Sequence, residues 1–220
     1  MPAAAALPRV GGAYHQRVDE VRELQARIRE MQSTKLDTRA LDTSPTVAGL
    51  LPGGALRTGV AYAIHGSTSL AMALMAGPSQ AGAWCGVVGV PTFGTEAASA
   101  AGIDLERLAL VPYPGDQWLP VTAALADVLT VVLVRPPLTP SDGTVARLMA
   151  RLRERGTTLI VLGDWPGTEA RLQVRRSEWG GLGDGHGHLT TRRLEVEVAS
   201  RTGSRTRELA LPGRAERVGA

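Results

Sequence analysis

The sequence predicts an α/β fold with a mainly parallel sheet, antiparallel strands near its C-terminus and one helix that precedes the sheet. Two patterns carry this prediction. From residue 60 to residue 162, short apolar segments alternate with helical segments, and this order is typical of a parallel sheet covered by helices. Beyond residue 171, apolar and polar residues alternate one by one, as in antiparallel strands with one face in water.

Residues 14–35 predict an exposed amphipathic helix ahead of the sheet. Its apolar positions follow a 3-4-3 spacing: Val21, Leu24, Ile28 and Met31. Charges of both signs fill the other faces. A seam of two heptads is too short for a stable free coiled coil, so another surface must cover it. We therefore treat these four residues as candidate partner-binding residues, with packing against the chain's own domain as the alternative.

The other elements follow in order along the chain. Parallel strands are predicted at residues 60–64, 83–88, 108–111, 130–134 and 157–162. Helices are predicted at residues 70–76, 95–101, 118–127 and 141–155, with Thr95 and either Ser141 or Asp142 as N-caps. Antiparallel strands are predicted at residues 172–178, 189–200 and 206–211, with a hairpin turn at Gly203 and Ser204.

These elements divide the chain into three parts. Residues 1–44 hold the amphipathic helix and a linker, residues 45–212 form the core domain, and residues 213–220 are expected to be a disordered tail. The sequence has no run of 18 or more apolar residues, so no membrane span or membrane partner is expected. The lone cysteine, Cys85, excludes an internal disulfide and fits a cytoplasmic location.

The basic residues are almost all arginine. Of 24 basic residues, 23 are arginine, and the one lysine is Lys35. The net charge is +3, and all of it comes from residues 165–220, with 10 arginines against 7 acids. This excess is small for a dedicated nucleic-acid-binding protein, which usually carries a dense basic patch.

A small-residue turn between a strand and a helix occupies the position where a P-loop would bind phosphate. The turn contains Gly66, Ser67, Thr68 and Ser69. It lacks the second glycine and the lysine of the P-loop pattern. We interpret it as a degenerate P-loop that serves mainly as a helix cap, with weak anion binding as the alternative.

Two segments resemble the RecA family. Residues 49–66 are similar to the RecA stretch that leads into its P-loop, and residues 100–108 resemble the segment before its third strand. Within that superfamily, the turn, residues 83–91 and residues 163–167 are most similar to the ImuA′ type of actinobacteria. The resemblance covers roughly residues 40–212 and implies a RecA-like core.

Two further positions depart from active RecA. Gly89, Val90 and Pro91 stand where the resemblance implies a catalytic glutamate, and Arg135 follows the strand where it implies the magnesium-linked aspartate. Phosphoryl transfer needs the metal, its carboxylate and the phosphate cradle together. We therefore expect no enzymatic activity, no cofactor and no bound metal.

The resemblance implies a non-catalytic accessory role in DNA-damage-induced (SOS) mutagenesis and translesion synthesis. In that role the chain is an adaptor of the mutasome, and its implied partner is an ImuB-type polymerase homologue of the Y family. A second copy of this chain and RecA itself are alternative partners. A single-stranded DNA-binding module or a regulator of RecA is the alternative function.

Several residues outside these motifs are candidates for binding. Trp165 follows the fifth strand and is a candidate partner contact, with core packing as the alternative. Four arginines of the C-terminal strands are weak candidates for DNA contact: Arg175, Arg176, Arg192 and Arg193. A cluster of Asp184, His186 and His188 is expected to be a flexible loop, with a metal site as the alternative.

Overall fold

The computed structural model describes residues 39–180 and 191–212. Within these residues, eight strands form one sheet. They are β1 (Ala61–His65), β2 (Cys85–Val88), β3 (Leu108–Val111), β4 (Val131–Val134), β5 (Thr158–Leu162), β6 (Ala170–Gly180), β7 (Thr191–Ser200) and β8 (Gly203–Pro212). Their order across the sheet is β3-β2-β4-β5-β1-β6-β7-β8. The predicted α/β class, with a mostly parallel sheet and antiparallel C-terminal strands, is confirmed.

Helices connect the parallel strands. They are α1 (Pro45–Ala48), α2 (Thr68–Gln80), α3 (Thr95–Ala100), α4 (Trp118–Ala126) and α5 (Asp142–Arg155). The sequence did not predict α1, a single turn that begins at a proline. The N-cap residue of α3 is Gly94 rather than the expected Thr95, whereas Ser141 is the N-cap residue of α5 as expected.

The first C-terminal strand differs from its prediction. β6 pairs in parallel with β1 and antiparallel with β7, so the switch in direction comes one strand later than expected. Residues 163–169 connect β5 to β6, and the amide of Glu169 donates to the carbonyl of Ala61 at 2.8 Å, so β6 begins at the same edge of the sheet as β1. The hairpin turn lies at residues 201–202, and Gly203 is already the first residue of β8.

Two apolar clusters cover the two faces of the sheet. One cluster includes Leu70 and Leu74 of α2 and extends under β7 and β8. The other includes Val145 and Leu152 of α5 together with the inward side chains of β4 and β5. The four residues of β4 are all buried, as a central strand with helices on both faces requires.

The second helix is longer than its sequence predicts. α2 continues through Gly77 and Pro78 to Gln80, although these residues normally end a helix. A Cβ atom on Gly77 would lie 2.6 Å from the carbonyl oxygen of Asp42 and 2.8 Å from the amide nitrogen of Ser44. Gly77 therefore allows the backbone of residues 42–44 to lie directly against α2.

Residues 39–44 are held by backbone contacts to the start of the sheet. Ala40 and Arg57 form an antiparallel bridge, and the amide of Leu41 donates to the carbonyl of Leu56 at 2.8 Å. Experiments that remove the N-terminal segment should therefore retain residue 39 and the residues that follow.

Within residues 39–180 and 191–212, no helix combines the length and apolar character that a membrane span needs.

We predict that Gly77→Ala destabilises the fold, because its methyl group would push the backbone of residues 42–44 away from α2. The expected loss is about 1–3 kcal/mol, the range for overpacking a close contact. Gly143→Ala in α5 is the matched control, since a Cβ there meets nothing within 4 Å. Urea unfolding measures both variants. An unchanged or higher midpoint for Gly77→Ala would contradict this close approach.

Candidate functional site

A cleft opens at the carboxyl ends of β1, β4 and β5, where open α/β sheets usually bind their ligands. Its volume is about 390 Å³. The described residues that line it are Ile64, His65, Gly66, Ser67, Thr68, Arg135, Leu162 and Gly163. The cleft therefore brings the degenerate P-loop position next to the residue that follows β4.

The connection from β1 to α2 is only two residues long. It consists of Gly66, with φ of +83°, and Ser67. The Ser67 hydroxyl is 8% exposed and accepts a hydrogen bond from the amide of Leu70 at 3.1 Å. This is the helix-cap role that the sequence favoured. A connection of this length cannot wrap around a triphosphate.

Ser69 and Thr68 lie in the first turn of α2, not in the turn that precedes it. The Ser69 hydroxyl accepts a hydrogen bond from Arg192 of β7 at 3.1 Å. Two of the three hydroxyl groups in the degenerate P-loop are thus already used inside the protein. Ser67 and Ser69 therefore fix the start of α2 and its contact with β7.

The described lining of the cleft contains one arginine, Arg135, and the imidazole of His65. It includes neither aspartate nor glutamate. The nearby carboxylate of Asp164 lies 3.5 Å from His65 Nε2 and 3.6 Å from Arg171 Nη2. The Asp164 side chain is 67% exposed, so solvent screens its ion pair with Arg171.

The end of β2 comes very close to the end of β4. The amide of Arg135 donates to the carbonyl of Val88 at 3.0 Å, and a Cβ on Gly89 would lie 2.7 Å from the Arg135 carbonyl oxygen. Gly89 also has a φ of +71°. Glycine is thus required at this position for packing. A side chain that faces the cleft would not fit here.

Trp165 packs in the core and not on the surface. Its side chain is 1% exposed and belongs to the apolar cluster of α5, β4 and β5. The expectation that Trp165 contacts a partner is therefore corrected, because the sequence from Gly163 to Gly167 turns the indole inward. Its Nε1–H group has no hydrogen-bond partner within the described residues.

Two of the candidate DNA-binding arginines are paired with glutamates. The Arg175 guanidinium lies 2.6 Å from Glu197 and holds the pKa of that carboxyl below its usual range. Arg176 lies 2.8 Å from Glu178 on the same strand. Both ion pairs are exposed, so each adds little to stability. They do reduce the positive potential that a phosphate backbone would meet.

Arg193 lies on the same outer face of the C-terminal strands. A shallow depression on this face is lined by Arg176, Glu178, Arg193, Glu195 and Glu208. Three carboxylates outnumber two guanidinium groups there. The contact of Arg175, Arg176 and Arg193 with DNA stays a prediction, with glutamates beside these arginines that reduce the attraction of a phosphate backbone.

Arg192 lies on the opposite, inner face of β7. Its guanidinium carbon is 4.9 Å from the centroid of the Trp179 ring, in a cation–π contact. Arg192 Nε donates to the Ser177 hydroxyl at 2.9 Å. Burial lowers the pKa of the Arg192 guanidinium. The sequence placed Arg192 and Trp179 near each other but gave no signal that they wall a groove with α2 and α3.

Cys85 is buried within β2, as its sequence position predicts. Burial raises the pKa of its thiol to about 12, so the thiolate is scarce at neutral pH and the group is a poor nucleophile. Among residues 39–180 and 191–212, no three His, Cys, Asp or Glu side chains gather as a metal site would require.

Several predicted site residues lie outside the described residues. They are Val21, Leu24, Ile28 and Met31 of the predicted amphipathic helix, and Asp184, His186 and His188 of the residues between β6 and β7. The same holds for residues 213–220. The predictions for these segments stay predictions.

Residues 49–167 match the family described as the MT3502 N-terminal domain, and with this match the chain belongs to that family. The chain is also 37% identical over 132 residues to the uncharacterized protein Rv3395c of Mycobacterium tuberculosis. That alignment covers 57% of this chain and 64% of the relative, so the chain spans less than two thirds of the relative's length. The family match includes β1 to β5 and the cleft between them.

We predict that Ser67→Ala lowers the free energy of unfolding by about 1 kcal/mol, because the Leu70 amide loses its cap. Ser99→Ala on the exposed side of α3 is the control, with an expected change within about 0.5 kcal/mol. Chemical denaturation measures both. Equal effects of the two substitutions would show that the Ser67 hydroxyl is not needed as a cap.

Proposed function

We propose that this member of the MT3502 N-terminal domain family is a non-catalytic, RecA-like adaptor in DNA-damage-induced mutagenesis. Its proposed partner is an ImuB-type polymerase homologue that takes part in translesion synthesis. The observation that carries the proposal is the two-residue connection between β1 and α2, whose Ser67 hydroxyl caps the helix. A RecA-like sheet with this connection keeps its fold and loses its phosphate cradle.

The sheet supports the RecA-like part of the proposal. The connection with the degenerate P-loop leaves the central strand β1, which pairs with β5 on one side and β6 on the other. The matched family range covers the segment that resembles the approach to the RecA P-loop. A relative from Mycobacterium tuberculosis is compatible with an actinobacterial ImuA′ type.

The cleft supports the non-catalytic part. A nucleotide site with magnesium needs carboxylates at the strand ends, but the described lining of this cleft offers Arg135 and His65. Gly89 packs against the Arg135 carbonyl at the end of β2. Restoring activity would therefore take changes at three separate strand ends.

Single-stranded DNA binding is the alternative function. It draws on Arg192, whose guanidinium is already stacked on Trp179 and bonded to two serine hydroxyls. The outer-face arginines are compensated by glutamates. A titration with a fluorescent oligonucleotide tests this alternative. Binding that weakens steeply with salt would favour it over the adaptor.

We predict that serine substitutions in the full chain at Val21, Leu24, Ile28 and Met31 abolish co-purification with an ImuB-type polymerase homologue. These residues form the predicted apolar seam, whose burial would drive association. The control pair is Ala26→Ser with Glu30→Gln on the opposite face of the predicted helix. Circular dichroism verifies that each variant is folded.

Undiminished co-purification of the folded seam variant would reject the seam as the binding surface. Failure of the unmodified chain to bind the ImuB-type protein would reject the adaptor proposal itself.

We predict that Mg·ATP leaves the Tm of the chain unchanged. A ligand present at 100 times its Kd adds about 2.7 kcal/mol to stability, which thermal unfolding detects easily. Magnesium chloride with inorganic phosphate is the control for a general salt effect. A saturable rise in Tm with Mg·ATP and not with this control would contradict the loss of the nucleotide site.

A further inference from the structure

An apolar groove lies between α2 and α3, and its other sides are formed by the start of α1 and by the ends of β6, β7 and β8. We name it the Trp179 groove, after the side chain that forms one wall. Its volume is about 220 Å³. The floor presents Ala73 and Ala76 of α2 with Ala97 of α3 and Ala101, the residue that follows α3, and Arg192 lies beside Trp179 at the wall.

The shape of the groove fits an approaching helix. The floor is shallow because the side chains of α2 and α3 that form it are alanine methyl groups. The backbone of an incoming helix can therefore approach α2 and α3 closely. Trp179 is 50% exposed, so its ring offers a large apolar surface at the edge of this floor. When an amphipathic helix binds an apolar groove, the apolar side chains of the helix that contact the groove are three or four residues apart. A shallow apolar floor gives these side chains a surface to pack against.

The described residues that line the groove carry positive charge and no negative charge. Arg192 is the one charged residue among the described residues that line it. Its Nε and Nη1 atoms donate to the hydroxyls of Ser177 and Ser69, and a guanidinium carries five N–H donors in all. Within residues 39–180 and 191–212, Arg192 has no carboxylate partner.

The position of the Arg192 guanidinium is already fixed before any ligand arrives. The Trp179 ring and two serine hydroxyls hold it at the wall of the groove. The guanidinium is partly buried, and the hydration that it loses there lowers its pKa. A partly desolvated cation of fixed position attracts a carboxylate more strongly than it attracts a neutral or cationic group.

We propose that the Trp179 groove binds an amphipathic helix of a partner protein, with apolar side chains on the alanine floor and an Asp or Glu against Arg192. This inference rests on the proposed adaptor function and gives it a second contact surface, separate from the predicted seam of residues 21–31. The partner helix is therefore acidic on one edge of its apolar face.

The test begins with a selection. A displayed library of random peptides, long enough for about four helical turns, is panned on the immobilised full chain. We expect the enriched peptides to share two apolar residues three or four positions apart and an Asp or Glu beside them. Enrichment of peptides without the acidic residue, or no enrichment at all, would overturn the proposal.

The enriched peptide is then measured by fluorescence polarisation against variants of the full chain. We expect Ala97→Trp, which fills the groove from an exposed position, and Arg192→Gln each to weaken binding by about tenfold or more. Arg193→Gln on the outer face is the matched control and should leave binding within about twofold of the unmodified chain. Equal binding to Ala97→Trp and the unmodified chain would overturn the proposal.

A charge swap keeps the test decisive if Arg192→Gln is poorly folded. Arg192→Glu should prefer a peptide in which Lys replaces the acidic residue, and the unmodified chain should reject that peptide.

Two other occupants of the groove are distinguishable. Displacement of the peptide by oligo-dT would assign the groove to nucleic acid, and self-association that Ala97→Trp abolishes would assign it to a second copy. Either result would overturn the partner-helix proposal.

The groove and the proposed function can fail separately. If the ImuB-type protein does not bind while the acidic peptide does, the adaptor assignment fails and the groove stands. If the ImuB-type protein binds and the peptides ignore Arg192, the groove fails and the adaptor assignment stands.

Discussion

The position of β1 is the constraint on which both sites depend. β1 pairs in parallel with β5 and with β6, so it joins the parallel half of the sheet to the C-terminal strands. Its short connection to α2 fixes where that helix begins. The same helix supplies one edge of the cleft and part of the floor of the Trp179 groove. A change in this connection would alter both surfaces at once.

The hydroxyl groups at the start of α2 show how the two surfaces are linked. Ser67 caps the helix, and Ser69 receives Arg192 from β7. Groups that would face phosphate in a working nucleotide site are used here to hold the helix and the C-terminal strands. In the adaptor that we propose, these hydrogen bonds contribute to the rigidity of the binding surface.

The sequence predicted the α/β class and the approximate place of every strand in the described residues. Apolar runs such as residues 131–134 carry that information locally. It did not predict the continuation of α2 through Gly77 and Pro78, and it could not show that Gly77 lies directly against residues 42–44, since this is a tertiary contact. Trp165 was open to two interpretations for the same reason, since burial of an indole at a strand end depends on the helices packed around it.

The candidate site was predictable to a similar extent. The missing lysine and carboxylates are visible in the sequence, and so is the basic residue after β4. The pairing of Arg175 with Glu197 depends on the register between β6 and β7 and on the bulge near Val174, which local patterns do not specify. The Trp179 groove was missed because its alanines come from two helices that are distant in sequence.

The most direct measurement is isothermal titration of the full chain with a purified ImuB-type polymerase homologue, with and without Mg·ATP. We expect binding with the same Kd in both conditions, because an adaptor without a phosphate cradle does not respond to nucleotide. Binding that appears or strengthens only with Mg·ATP would contradict the loss of nucleotide chemistry. Absence of binding in both conditions would contradict the adaptor function.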